Sequence, residues 1–352
     1  MIDQRPPSFG NNALKRMPAE RDLEQLRQIT KVARLYHLHG ARQADIAQQL
    51  NISQAGVSRL LRLAEEAGIV QTVVLAPEGL HPELEENLIR AYGLEHVVIS
   101  DNPSRETEIP QVLGAAAARL FAKELQGQTL GFTSWSVTLR EMARLLPLNN
   151  ASNITHVVEM LGDLGSPMLQ HEATLATLQL ANSLGAEAVF LRTPGVTNSA
   201  QLRDAALGDA HVNRAMEYLD KVDVAFLGLG PANFHGPLEE HDNFFTSDQL
   251  AKVRKAGAAG QLHQRFITAE GAPLDTPLEK VVVGISLTQL RRVKKRVLVA
   301  GGPSKHTALL AALRGRWAHT LVTDLAAANF LMAAANPHPT PTGQPTSQDA
   351  TG

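Results

Sequence analysis

The sequence predicts a two-domain α+β chain: a small N-terminal all-α helix-turn-helix domain with a wing-like strand, then a doubly wound α/β domain. Three observations predict it. Residues Gln43 to Gly68, QADIAQQLNISQAGVSRLLRLAEEAG, set two helix-period apolar stripes on either side of a tight turn. The stretch Ala76-Pro77-Glu78-Gly79-Leu80-His81-Pro82 then breaks all periodicity. From Val97 onward, short Val, Ile and Leu runs alternate with amphipathic helices, as a parallel sheet covered on both faces requires.

In the first helix of the pair Ile46, Ala47 and Leu50 share a face, and in the second Val57, Leu60, Leu61 and Ala64 do, so the two stripes can bury each other. Between them Ile52 can plug the junction and the Ser53 hydroxyl can cap the second helix. The opposite face of that helix carries Gln54, Ala55, Ser58, Arg59 and Arg62. Gln54 and Arg59 can bond adenine and guanine edges, Ala55 can approach a thymine methyl, and Ser58 and Arg62 can reach phosphates, so operator DNA is the expected partner, the alternative being an ordinary helical hairpin with a solvated polar face. An earlier amphipathic helix from Asp22 to His39, with Leu23, Leu26, Ile29, Ala33, Leu35 and Leu38, supports the pair and stops at Gly40. Gly68 can cap the reading helix, and Ile69 to Leu75 reads as the wing-like strand.

At 352 residues the chain is too long for such a module alone. Expected boundaries are a disordered arm at 1–20, the DNA-reading domain at 21–75, a linker at 76–82, an effector domain at 83–335 and a disordered tail at 336–352. Arg5, Lys15 and Arg16 in the arm can brush phosphates, although an ordinary flexible terminus is the plainer expectation. A formal net charge of −2 leaves no chain-wide basic field, so any DNA contact must be local. No cysteine, signal peptide or membrane-length apolar run is present, so a soluble cytoplasmic protein is expected.

In the second domain the expected strands are Val97 to Ser100, Thr129 to Thr133, Ile154 to Leu161, Ala188 to Leu191, Val222 to Gly228, Val297 to Ala300 and Thr320 to Thr323, with an irregular interruption from Pro231 to Ile285 that reads as an antiparallel insertion or a mixed sheet edge. Ligands of such sheets collect beyond the carboxyl ends of strands, which singles out four loops. Ser134, Ser136 and Thr138 form a hydroxyl-rich turn opening a helix, and Gly301, Gly302 and Lys305 combine bare backbone with a cation, so both suit a phosphate. Gly228 and Gly230 can bring backbone against a ligand, and Asp163 can accept bonds from sugar hydroxyls. Neither of the two phosphate-suited loops matches the nucleotide-hydrolysing pattern, and no cofactor is expected. His235, Glu239, Glu240, His241 and Asp242 have no metal-ligand spacing, so no metal site is expected there, and Arg291, Arg292, Lys294, Lys295 and Arg296 are expected to form a solvated face.

From about Leu26 to Leu331 the chain resembles the SorC/DeoR-type family of sugar-responsive bacterial transcription regulators. The stretches that carry the resemblance are ADIAQQLNISQAGVSRLLRLAEEAGIV, SWSVTL, VVEMLGDLG, DVAFLGLG, RFITAEGAPLDTPLEKVVVGISLTQLRRV, VAGGPSKHTALLAALRG and LVTD. The resemblance implies an effector domain similar to sugar-phosphate isomerases, a phosphorylated sugar effector and a homo-oligomer, dimer or tetramer. It assigns Ser134, Ser136 and Thr138 to the hydroxyl loop and Gly301, Gly302 and Lys305 to the phosphate turn. The chain departs from it at Gln261, where an acidic residue is usual and a neutral amide cannot charge-pair, and at Gly162-Asp163, where two glycines are frequent. The competing expectation is a sugar-phosphate isomerase with an accessory DNA-binding module, which would need a base such as Asp163, His171 or Glu172 beside the phosphate.

Overall fold

Uninterrupted β-branched runs can be buried only where both faces of a sheet are covered, and the computed structural model uses them that way. It describes residues 20–70, 77, 79–125, 127–147, 152–232, 241 and 243–335. Contacts divide the chain into two units, Met1–Leu75 and Ala76–Gly352.

The first unit contains helices α1 (Glu20–His37), α2 (Gln43–Leu50) and α3 (Gln54–Glu66). Its core is Ile29, Val32, Ala33, Ile46, Val57, Leu60, Leu61 and Ala64, so the stripes of α2 and α3 meet as their periodicity requires. Leu23 and Leu38, expected on the buried stripe of α1, are exposed, and Val32 is buried instead. Asn51 takes a left-handed conformation after α2, and Ser53 Oγ accepts the Gly56 amide at 3.1 Å, which fixes where α3 begins. Gly68, also left-handed, follows the end of α3. Ile69 and Val70 form a bend, while 71–75, the rest of the expected wing strand, and the arm with Arg5, Lys15 and Arg16 lie outside the described residues, as does the tail.

The second unit opens with α4 (Pro82–Tyr92), which lies between the expected linker and the first expected strand and was given no element, although Pro82 at its start and left-handed Gly93 just past its end are ordinary helix boundaries. The remaining elements are β1 (His96–Ser100), α5 (Ile109–Glu124), β2 (Thr129–Phe132), α6 (Val137–Leu145), β3 (His156–Glu159), α7 (Pro167–Leu184), β4 (Glu187–Val189), α8 (Ala200–Leu207), α9 (Ala210–Leu219), β5 (Val224–Leu227), β6 (Gly230–Pro231), α10 (Ser247–Lys255), β7 (Ala258–Leu262), β8 (Arg265–Thr268), α11 (Leu287–Arg292), β9 (Lys295–Val299), α12 (His306–Arg314), β10 (Thr320–Asp324) and α13 (Leu325–Ala335).

Seven of these strands form one parallel sheet in the order β1-β10-β9-β5-β2-β3-β4. One face packs on α5, α6 and α7 through Phe121, Phe132, Leu139 and Phe226, the other on α4, α11, α12 and α13 through Leu88, Leu290, Leu309 and Leu331. After β2 the chain steps outward to β3 and β4, then returns so that β5, β9 and β10 add on the other side of β2. The winding direction therefore reverses between β2 and β5.

The interruption after Pro231 is the short antiparallel sheet β6-β7-β8. Arg265, directly after its turn, is buried and donates to Ile285 O, Gly284 O and the Glu279 carboxylate, which ties the hairpin to the chain that follows. The basic run is not the solvated face expected of it. Lys295 and Arg296 are buried, Arg296 donates to Trp317 O and Val293 O, and Arg291 lies over the Trp317 ring at 3.7 Å. Arg292 and Lys294 are exposed and face Asp220 and Asp223.

Candidate effector site

The β2/β5 reversal leaves a crevice beyond the carboxyl ends of the strands, because the connections from the two strands leave in opposite directions there. A cavity of about 300 Å³ occupies it. Thr133 and Trp135 to Thr138 enter from the end of β2, Gly228 to Pro231 from the end of β5, Gln261, His263 and Gln264 from the β7–β8 hairpin, and Lys305 from the turn after β9. Leu161, Leu164 and Phe244 complete an apolar wall.

Local chemistry positions each piece. Ser136 ends the loop by capping α6, its Oγ accepting the Leu139 amide at 3.4 Å. A Cβ on Gly228 would meet Ser136 Cβ at 2.8 Å, and one on Gly230 would meet Gln261 Nε2 at 2.7 Å. Those glycines let α6 and the Gln261 amide close against the β5 turn. Thr133 Oγ donates to Phe226 O at 3.0 Å and lies 2.9 Å from His263 Nε2.

Of the ten expected effector residues, Ser136, Thr138, Gly228, Gly230, Gln261 and Lys305 line this cavity. Ser134 is buried behind it, its hydroxyl without a partner among the described residues. Asp163 lies elsewhere: its carboxylate takes Arg192 at 3.1 Å, and burial, against the pull of Arg192, raises its pKa. Gly301 and Gly302 are off the lining too, since the Gly302 amide, at φ 90°, is given to Asp324 Oδ2 at 2.6 Å. That carboxylate at the end of β10 also accepts the Ala327 amide at 2.8 Å, so the double-glycine turn is held shut by protein rather than left open for a phosphate. The candidate bases for isomerisation are not on the lining either: His171 and Glu172 are exposed on α7, and Glu172 pairs with Arg140 at 3.0 Å.

Lys305 is the cation of the cavity. Burial depresses its pKa, and among the described residues no carboxylate pairs with it or lines the space it faces. Even a half-buried ammonium with no carboxylate beside it carries a desolvation cost that an arriving anion would offset. The sequence reading missed His263 and Gln264. They form the two-residue turn between β7 and β8, both at positive φ, 51° and 62°, a conformation that costs non-glycine residues about 1 kcal/mol or more each. The available signal was a polar pair between two strand-like runs, without the Asn or Gly such a turn prefers. Burial, reinforced by the Arg265 charge, lowers the His263 pKa to about 3, so its ring is neutral.

On the first unit, Gln54, Ala55, Ser58, Arg59 and Arg62 are all exposed on α3. Arg62 is 3.4 Å from Glu66, both well solvated. Of the cluster His235 to Asp242 only His241 is described, and no metal-holding group occurs among the described residues. No described helix is long and apolar enough to cross a membrane.

A hydroxyl- and amide-lined crevice with one cation, at the strand ends of a parallel α/β sheet, has the form of a small-molecule-binding site. The family model described as "Putative sugar-binding domain" matches residues 80–333. The chain is 28% identical over 312 residues to the sorbitol operon regulator of Klebsiella pneumoniae, covering 88% of this chain and 98% of that one, and 28% identical to the deoxyribonucleoside regulator of Bacillus subtilis, covering 88% and 99%. The crystal structure of the full-length Klebsiella regulator superposes with a TM-score of 0.67, covering 88% of this chain and 99% of the other. The chain belongs to the SorC/DeoR family of sugar-responsive transcription regulators.

Proposed function

We propose that this protein is an operator-binding regulator whose DNA affinity is modulated by a small phosphorylated sugar held in the β2/β5 crevice. The observation that carries the effector half is Lys305, a desolvated cation without a carboxylate partner among the described residues, in a cavity whose other polar walls are hydroxyls, amides and a neutral imidazole. A phosphate dianion supplies the missing charge and a sugar the hydroxyls. Relatives named for sorbitol and for deoxyribonucleosides support a carbohydrate ligand.

Residues 21–75 serve as the DNA-reading domain, 76–82 as linker and 83–335 as effector domain, in a cytoplasmic homo-oligomer. Arg59 reads a base edge and Arg62 a phosphate from the exposed face of α3. Ligand and operator are linked by a coupling free energy equal in both directions.

The test is a duplex selected from a random pool by the full chain, then binding measured with and without a panel of pentose and hexose phosphates. At least one sugar phosphate changes operator affinity, and the same compound raises the melting temperature. Arg59→Ala costs about 1 to 3 kcal/mol and relaxes one base position, while Arg62→Ala weakens all duplexes alike. Failure to select any duplex, or a selected duplex indifferent to every sugar phosphate, removes the proposal.

A further inference from the structure

We infer that Asn243 is a positioning residue for the effector: its side-chain amide joins the two segments that build the apolar wall of the cavity, and so sets the surface on which the carbon skeleton of the sugar rests. The inference rests on the phosphorylated-sugar reading above, and it adds a residue that does not itself line the cavity.

The wall comes from two distant places in the chain. Leu161 and Leu164 follow β3, and Phe244 precedes α10. All three belong to one buried cluster with Phe245, Phe266 and Leu250, and Trp135 packs against it. Apolar attraction is non-directional, so it gathers these side chains without fixing the spacing of one segment from the other. Hydrogen bonds do that.

The loop after β3 turns at Gly165, which is buried and left-handed at φ 64°, before Ser166 caps α7. Such a turn has no ladder of its own to satisfy its backbone, and a buried N–H or C=O without a partner is costly. Asn243 supplies the partners. Its Oδ1 accepts the Gly165 N–H at 2.8 Å, and its Nδ2 donates to Gly165 O at 3.2 Å and to Asp163 O at 3.4 Å. Leu164 lies between the two residues so bonded, and Phe244 is next in the chain to the amide itself, so one side chain spaces the two halves of the wall. The earlier half of the loop has other holds: the Asp163 N–H goes to Thr193 O at 2.7 Å and Arg192 bonds the Asp163 carboxylate. What depends on Asn243 is therefore the Leu164–Gly165 end and its distance from Phe244. The task needs a donor and an acceptor on one short side chain, which an amide has, whereas a carboxylate would set oxygen against both carbonyls.

The experiment is calorimetric titration of the full chain with the pentose and hexose phosphates of the panel above, well below the melting temperature. Affinity there is a property of the folded state, so a residue that only stabilises the fold changes the melting temperature and leaves affinity alone. Asn243→Ala binds the compound preferred by the wild type about tenfold more weakly, the scale on which a pocket feels the loss of one apolar contact. Asn243→Asp, of the same size, keeps the acceptor, loses both donors and binds no better than Asn243→Ala. The control is Gln249→Ala, which opens the capping box at the start of α10; it lowers the melting temperature and keeps wild-type affinity. In the wild type the same compound slows amide exchange at Gly165, a measurement that requires no variant to fold. Wild-type affinity in either Asn243 variant, an equal loss in Gln249→Ala, or unchanged exchange at Gly165 overturns the inference and leaves the phosphorylated-sugar reading standing. If no compound of the panel binds the wild type, that reading falls and the inference with it.

Discussion

Two lysines near the two ends of strand β9 have opposite surroundings. Lys295 begins the strand with its side chain 5% exposed and its Nζ 2.6 Å from Glu95 and 2.7 Å from Glu124, while His96 and Thr320 bond the same Glu124 carboxylate. Burial alone would lower its pKa, but the bonds to Glu124 and Glu95 outweigh it and raise it. Lys305 follows the other end, is depressed by burial, and has no such partner among the described residues. A cation whose charge the fold neutralises is part of the scaffold, whereas one left uncompensated beside a cavity is the group we propose to meet an anion from outside.

The largest expected effect breaks the scaffold member. Lys295→Met leaves the fully buried Glu124 without its cation and should cost about 3 kcal/mol, the lower end of the range for breaking a buried pair because Glu95 is half exposed. Denaturant unfolding measures it, and a loss below about 1 kcal/mol would remove the distinction between the two lysines. Next comes the site member: Lys305→Met should reduce affinity for the effective sugar phosphate by roughly 10- to 100-fold while leaving unliganded stability unchanged or slightly higher. Thermal shift with and without that compound checks both halves.

Third, the two lysines should give opposite slopes with pH. The folded pKa of Lys295 is raised, so its stabilisation is present below the unfolded value of about 10.4 and is lost as pH climbs through the folded value. The folded pKa of Lys305 is lowered, so the unliganded protein gains stability as pH rises between the folded and unfolded values. On the acid side burial works against Glu124, but bonds from Lys295, His96 and Thr320 hold its pKa down, and its stabilisation, present above about pH 4.3, is lost as pH falls through the depressed value. Melting temperatures of wild type, Glu124→Gln and Lys305→Met across pH resolve these terms: acid sensitivity should weaken in Glu124→Gln and the alkaline gain should disappear in Lys305→Met. The smallest effect belongs to an ion pair on the surface: Arg62→Gln should change stability by less than about 0.5 kcal/mol, because both it and Glu66 are solvated.

Much of this was legible beforehand where a single segment contains its own reason. The stripes of α2 and α3, the Ser53 cap and the Val- and Leu-rich strands are periodic signals that packing then obeys. Lys305 was legible as a lone cation after a strand. What failed were statements about partners distant in sequence. The run Arg291 to Arg296 reads as solvated because Glu95, Glu124 and Trp317 lie far away along the chain. Asp163 reads as a sugar contact until Arg192 is seen beside it, and the Gly301-Gly302 turn reads as an open cradle until Asp324 closes it. His263 and Gln264 carry no motif at all, and only their left-handed backbone and stranded atoms mark them.

By itself the sequence determined most of the element types and the chemistry available at each strand end, because periodicity, turn residues and side-chain type act over a few residues. Tertiary structure alone decided which charges are compensated. That depends on strand order: the reversal between β2 and β5 gathers Thr133, Gly228, His263 and Lys305 around one cavity, and parallel pairing of β1, β10 and β9 puts Glu95 and Glu124 against Lys295. The same residue type at the two ends of one strand thus becomes scaffold at one and, at the other, the group we propose for anion binding.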